Sequence, residues 1–206
     1  MCRFIVGLTG GVASGKSVFS QFFADWQVPI IDADTLAHRL LDTAPIRSHI
    51  HSLVGSAALQ ADGTINRAYL RRQLFGSSAL RHQVESLLHP PIRAALAAAA
   101  HSTPLAEDAY LIVVIPLLIE SGGRASYPWL KRIAALITPT QARIQRLIRR
   151  DQIDLDLAQQ MLDAQANDAQ RRACADDVVI NSGSLEQLRA QALALHTRYS
   201  ALAKQQ

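Results

Sequence analysis

Apolar positions along the chain fall into short aliphatic runs separated by long stretches with helical patterning. Phe4–Leu8, Val28–Ile31, Tyr110–Ile115, Ile133–Ile137 and Val178–Ile180 are rich in Ile, Val and Leu and read as strands. Lys16–Ala24, Thr35–Leu41, Asn66–Leu74, Ala79–Ala100, Gln141–Arg150, Asp154–Ala173 and Leu185–Ala203 read as helices. Strands alternating with helices predict an α/β fold, a five-stranded parallel sheet flanked by helices. The first, third and fifth runs are near-continuous in aliphatic residues, as expected of strands buried on both faces.

The spacing is uneven. About eighty residues separate the second run from the third, far more than one crossover needs. This predicts a helical subdomain inserted at about residues 35–105. His89-Pro90-Pro91 is expected to end or kink a helix within it. A second helical excursion, at about 141–173, carries the densest positive charge, Arg143, Arg146, Arg149 and Arg150. The remaining core, at about 1–34, 106–140 and 174–206, makes one domain of the whole chain. Asp62-Gly63 signals a turn and Ser121-Gly122-Gly123 a loop.

Composition narrows the class. The 206 residues are 49% hydrophobic and 18% charged, enough to build a core and too apolar for disorder. Aromatic residues are only 5%, so that core is aliphatic. No apolar run approaches the ~20 residues of a membrane span. The two cysteines, Cys2 and Cys174, are too few for a disulfide framework and lack metal-ligating company. No export signal is visible, since Phe4–Leu8 is shorter than a signal-peptide core. A reducing, cytoplasmic setting is expected. The net charge of +4 permits an anionic ligand without identifying one.

One motif names the ligand class. Gly10-Gly11-Val12-Ala13-Ser14-Gly15-Lys16-Ser17 satisfies G-x-x-x-x-G-K-[ST], with a strand before it and a helix from Lys16. Glycines let successive N–H groups turn toward phosphate oxygens, and the helix N-terminus adds partial positive charge. Lys16 brings a point charge for the β- and γ-phosphates, and the Ser17 hydroxyl can bind Mg²⁺. No Asn-Lys-x-Asp base-reading element or Leu-Ser-Gly-Gly signature is present, which disfavours GTPases and ABC-type ATPases. A small-molecule kinase remains. It needs a general base, an acceptor pocket and mobile cations.

Candidates for each are present. Asp32-Ala33-Asp34 closes the second strand, which can lie beside the first; period-2 geometry would set both carboxylates on one face. One could take the acceptor's proton and the other support Mg²⁺; alternatively Asp34 caps the helix from Thr35. His89 is either a packed or capping residue or a catalytic one. Pro116-Leu117-Leu118-Ile119-Glu120 leaves the third strand at the sheet's carboxyl edge, so Glu120 either faces the cleft or is a solvated loop residue. The arginines from Arg143 to Arg150 form either a solvated helix face or a mobile cationic segment. Arg146 and Arg150, four apart, share a face.

Taken in order, these elements resemble the dephospho-coenzyme A kinase family over nearly the whole chain. The resemblance rests on Leu8-Thr9-Gly10-Gly11 with the phosphate loop, Ile31-Asp32-Ala33-Asp34, Asp62-Gly63-x-x-Asn66-Arg67, His89-Pro90, Ile115–Glu120, Arg146–Arg150, Gln165, Ala175-Asp176-Asp177 and Asn181. It implies a nucleoside-monophosphate-kinase-like core with a helical substrate domain and a lid. The implied reaction is transfer from MgATP to the ribose 3′-hydroxyl of dephospho-CoA. Gly11, Val12, Ala13, Ser14, Gly15, Lys16 and Ser17 would then serve ATP, with Ser17 and Asp32 for Mg²⁺. Asp34 would be the general base supported by Asp32. Arg67, His89, Pro116, Leu117, Leu118 and Glu120 would line the dephospho-CoA side. Arg146 and Arg150 would sit in the lid, and Asn181 near the adenine. Ala13 stands where the family often has Gly, Val18 where Thr often follows the Ser, Arg143 near a usual Gln and Met161 near a frequent Arg. Two rivals stay open: a P-loop kinase for another small hydroxyl acceptor, and a nucleotide-gated binding protein acting on RNA or a protein partner. No aromatic-plus-basic platform encourages nucleic-acid binding. The oligomeric state is left open.

Overall fold

A computed structural model describes residues 3–106 and 109–205; Cys2 lies outside them. The chain divides into two compact units, one of Met1–Asp32 with Ala98–Gln206 and one of Ala33–Ala97.

The first unit is built on five parallel strands, β1 (Phe4–Gly10), β2 (Ile30–Asp32), β3 (Tyr110–Val114), β4 (Arg132–Ile137) and β5 (Asp177–Ile180), in the order β2-β3-β1-β4-β5. Helix α1 (Lys16–Asp25) follows the loop after β1. Phe4, Val6 and Leu8 of β1 join Phe19 and Phe23 of α1 in one apolar cluster. On the opposite face, a β-carbon at Gly7 would lie 2.7 Å from Leu130 and 3.4 Å from Leu118. A parallel strand covered on both sides carries apolar side chains throughout, and all seven residues of β1 are buried.

Two strand expectations need correction. The fifth strand is not buried on both faces: β5 ends the sheet, and Val178 and Ile180 are 39% and 38% exposed. The strand after β3 that is covered nearly throughout is β4, next to β1. The second strand does not lie beside β1, because β3 intervenes.

The second unit is helical. It holds α2 (Ala33–Leu41), α3 (Ala44–Val54), a 3₁₀ turn at Ser56–Ala58, α4 (Arg67–Gly76) and most of α5 (Ser78–Ser102). Ile46, Ile50, Ala58, Ile65, Leu70 and Val84 form its core. Helix α3 was not expected; Pro45 stands in its first turn, where a missing N–H costs nothing. Pro90 and Pro91 do not end α5, which runs through them. Proline removes one intrahelical bond and a donor, but packing of the surrounding helix can hold the backbone helical.

The first unit continues with α6 (Gly123–Ser126), α7 (Thr140–Asp151), α8 (Leu155–Asp163), α9 (Asp168–Cys174) and α10 (Leu185–Ala203). The single helix expected over 154–173 is two, because Asn167 starts α9 with a complete capping box. Where β4 and β5 begin, Asp177 accepts from Arg132 Nε at 2.8 Å, Arg198 Nη1 at 2.6 Å and the Tyr199 hydroxyl at 2.9 Å. Burial pushes its carboxyl up, but the bonds from Arg132 and Tyr199, with the charges of Arg132 and Arg198, outweigh burial and hold it below the usual 3.8. Removing one partner of a buried pair leaves the others uncompensated, so Asp177→Ala should cost about 3 kcal/mol in urea unfolding at neutral pH. A carboxyl lowered in the folded state stabilises above its unfolded pKa. The wild-type advantage over the variant should therefore be full at pH 6 and above and shrink as pH falls below about 4.

Candidate functional site

Because all five strands run parallel, their carboxyl ends share one edge. The loop at residues 11–15 follows β1, Asp32 ends β2, residues 115–120 follow β3, Thr138 follows β4 and Asn181 follows β5. Open α/β sheets bind ligands at this edge. The pairings Asp32 with Val114 and Leu8 with Val114 set Asp32 level with Leu8, two strand spacings or about 10 Å away.

The loop after β1 is a tight backbone cup. Ser14 N–H donates to Gly11 C=O at 3.2 Å. Ala13 and Gly15 both take left-handed conformations, at φ 57° and 95°. Glycine adopts these freely, whereas Ala13 gives up about 1 kcal/mol, which explains the frequent Gly there in the family that the sequence resembles. From Gly15 the chain enters α1, so its first amides face the strand edge where an anion would sit. Lys16 Nζ bonds Gly10 C=O at 2.7 Å and Gly11 C=O at 2.9 Å. Ser17 is exposed in the first turn of α1.

Helix α7 and the turn after α8 grip this loop. Arg143 Nε donates to Val12 C=O at 3.0 Å, and Arg146 Nη1 to Ala13 C=O at 3.2 Å. Gln165 Oε1 accepts from Val12 N–H at 2.7 Å. Thr138 Oγ1 and Asn181 Nδ2 both donate to Ser14 C=O, each at 2.8 Å. Val12 and Ala13 also pack against the apolar cluster of Ile144, Leu147, Ala158 and Leu162. Arg143 is 5% exposed; burial, then the charge of Arg171, lowers its pKa against the opposing pull of Asp168. Its guanidinium lies over Gly11, where a β-carbon would stand 2.2 Å from Nη2 and 2.5 Å from Cζ. Gly11→Ala must therefore displace the Arg143 guanidinium. The expected result is about tenfold weaker ATP binding by calorimetric titration and a stability loss of about 1–3 kcal/mol.

The expected site residues fare differently. Asp32 ends β2, but α2 starts at Ala33, so Asp34 stands in the first turn of a helix. The two carboxylates are therefore not alternate residues of one extended strand. Pro116 C=O accepts from Thr9 Oγ1 at 3.3 Å, and Leu117 is 42% exposed. Leu118 is fully buried beneath the sheet, so it supports the segment from within. Glu120 Oε1 accepts from Ala166 N–H at 2.8 Å and lies 3.8 Å from Arg171 Nη2. Arg150 directs Nε and Nη2 at Asp151, at 2.7 and 2.8 Å. In the helical unit, Arg67 pairs with Asp42 at 2.8 Å, and His89 is half-buried in α5, which lowers its pKa. Arg143, Gln165 and Thr138 carry contacts that residue spacing did not assign. Only the position of Thr138 directly after a predicted strand hinted at its place.

The comparisons with known proteins agree with one another. Residues 4–187 match the model of the family described as Dephospho-CoA kinase. A Xanthomonas axonopodis pv. citri protein named dephospho-CoA kinase is 45% identical over 203 residues, covering 98% of this chain and 99% of that one. Its namesake in Xylella fastidiosa is 43% identical, covering 98% and 97%. A Thermus thermophilus crystal structure superposes with TM-score 0.76 at 27% identity, covering 96% of this chain and 98% of that one. The dephospho-CoA kinase of Campylobacter jejuni gives TM-score 0.72 at 24% identity, covering 96% and 97%, and shares the fold. With a phosphate loop at the carboxyl edge of its sheet and these relatives along its full length, the chain belongs to the dephospho-CoA kinase family.

Proposed function

We propose that this protein transfers the γ-phosphoryl group of ATP to the 3′-hydroxyl of the ribose of dephospho-CoA, giving CoA and ADP. The observation that carries this reading is the Lys16 loop at the strand edge it shares with Asp32, in a chain matched to the family from residue 4 to residue 187. Phosphoryl transfer asks the protein for positioning and charge more than for covalent chemistry. Lys16 exchanges its bonds to Gly10 and Gly11 for the β- and γ-phosphates. The amides from Ala13 to Ser17 cradle those oxygens.

Ser17 and Asp32 offer hard oxygen donors for Mg²⁺. Among the described residues no cluster of three or more His, Cys, Asp or Glu forms a closed cage. A hydroxyl and one carboxylate suit an ion that keeps waters and takes phosphate oxygens as ligands. Bound there, Mg²⁺ neutralises phosphate charge. Asp34 accepts the ribose proton, with Asp32 as its supporting carboxylate.

Within a lid of residues 141–173, Arg146 is the better candidate for the transferred group. It holds the loop at Ala13 by one nitrogen and is otherwise exposed, whereas Arg150 is engaged with Asp151. Asn181, on Ser14 C=O, stands toward the adenine. Arg67, His89, Pro116 and Leu117 serve the acceptor, with the helical insertion of about 35–105 as its substrate domain. No helix among the described residues is long and apolar enough to cross a membrane. Free ATP and dephospho-CoA in the cytoplasm are its partners, without nucleic acid.

The test is direct. Purified protein is incubated with MgATP and dephospho-CoA, and mass spectrometry reads one added phosphoryl group on the acceptor. CoA formation supports the reading. An untouched acceptor beside a phosphorylated member of a panel of small hydroxyl compounds would replace it with another kinase activity.

A further inference from the structure

The turn between α8 and α9 is fastened on two sides at adjacent residues. Gln165 Oε1 takes the Val12 N–H of the phosphate loop at 2.7 Å. Ala166 gives its own N–H to Glu120 Oε1 at 2.8 Å, at the end of the segment leaving β3. The loop after β1 and the segment after β3 are thus joined through two consecutive residues of the lid. The capping box at Asn167 starts α9 immediately afterwards, so the turn has no slack on that side.

Beneath the turn, two buried arginines meet two partly exposed carboxylates. Arg171, 1% exposed, stands 3.8 Å from Glu120 Oε1 and 3.4 Å from Asp168 Oδ1. Arg143 Nη1 approaches the same Asp168 oxygen at 3.9 Å. The Nη2 atoms of both arginines are buried with no hydrogen-bond partner. Burying incompletely bonded cations is costly, and such groups persist where the surroundings over-determine them.

One member of this cluster, Arg143, reaches the phosphate loop. Val12 has its N–H taken by Gln165 and its C=O by Arg143 Nε. The next residue, Ala13, is the one held at φ 57° without being glycine. Val12 and Ala13 are thus held from residues 141–173, while Thr138 and Asn181 hold Ser14 C=O from the strand ends.

We propose that the 164–167 turn is a positioning bridge, through which Gln165 and Glu120 hold the phosphate loop in its triphosphate-receiving shape and couple it to the segment after β3. Neither residue touches ATP. The inference rests on the reading of the Lys16 loop as the ATP site. It also gives Glu120 a positioning role, distinct from the acceptor contact expected from sequence.

The test is a double-mutant cycle on the full chain. Gln165→Leu and Glu120→Ala each remove an acceptor, and both are combined in a third protein. Calorimetry reads ATP affinity, and steady-state assays with dephospho-CoA read KM for each substrate and kcat. Each single variant should bind ATP about tenfold more weakly, the scale of one lost hydrogen bond of about 1.4 kcal/mol. KM for ATP should rise with it while kcat moves by less than about threefold. The double variant should be barely weaker than the worse single one, because both act on one turn. Gln165→Glu and Glu120→Gln, which keep an accepting oxygen, should recover most of the affinity.

Unchanged ATP affinity in Gln165→Leu overturns the bridge, as does a fully additive loss in the double variant. A Glu120→Gln protein whose dephospho-CoA KM rises while its ATP affinity is normal overturns it in favour of direct acceptor contact. If the wild-type protein leaves dephospho-CoA unphosphorylated, the acceptor reading fails, while the ATP calorimetry still decides the bridge.

Discussion

Lys16→Ala lowers kcat/KM for CoA formation by about a thousandfold or more, some 4 kcal/mol of transition-state stabilisation. The ammonium group is the mobile cation of the loop. It lies against Gly10 and Gly11 C=O at 2.7 and 2.9 Å, and its departure to the phosphates exchanges neutral acceptors for charged ones. Bonds between charged groups are about twice as strong as neutral ones, so the gain grows as charge develops on the transferring group. Lys16→Arg should recover little of the loss. A planar guanidinium is larger than the ammonium and does not reproduce a point charge between two carbonyls. Single-turnover kinetics with saturating ATP, beside a circular dichroism spectrum matching wild type, separates lost chemistry from lost folding. Activity within tenfold of wild type would remove Lys16 from the reaction.

Asp34→Asn reduces kcat by about 10²–10⁴-fold, the usual contribution of a general base, while ATP affinity stays within a few-fold. The isosteric amide keeps the first turn of α2, where Asp34 stands exposed, but it cannot accept a proton from the ribose hydroxyl. The pairing of a large kcat loss with intact calorimetric ATP binding distinguishes this role from help with the metal or the triphosphate. Should kcat remain within a few-fold of wild type, the base is elsewhere and Asp32 is the next residue to replace.

The strands, the phosphate loop and most helices were legible because each obeys a local rule. An aliphatic run of three to six residues, a Gly-rich turn followed by Lys-Ser, and helical apolar patterning act through neighbours in the chain. The failures came where tertiary contacts overrode local preference. Prolines 90 and 91 sit inside α5 although proline breaks isolated helices. The Asp32-Ala33-Asp34 stretch looked extended throughout, but the chain turns helical at Ala33. The aliphatic run Val178–Ile180 looked like a central strand and instead ends the sheet, with alternate residues exposed.

The candidate site divides in the same way. Lys16, Ser17 and the loop glycines were readable, since phosphate chemistry demands those residue types at that spacing. Leu118 matched the family pattern but sits wholly in the core, and Glu120 is committed to Ala166 and Arg171. Gln165 and Arg143 reach Val12 across 153 and 131 residues of chain; no local pattern records such a pairing.

By itself, the order of residues determined the class of fold, the nucleotide loop and the family, because periodicity, turn chemistry and motif spacing are properties of consecutive residues. Tertiary structure alone decided the strand order that inserts β3 between β1 and β2, and the grip of α7 and the turn after α8 on the phosphate loop. Those depend on which distant surfaces bury each other and on where buried polar groups find partners, and both are settled only when the whole chain packs.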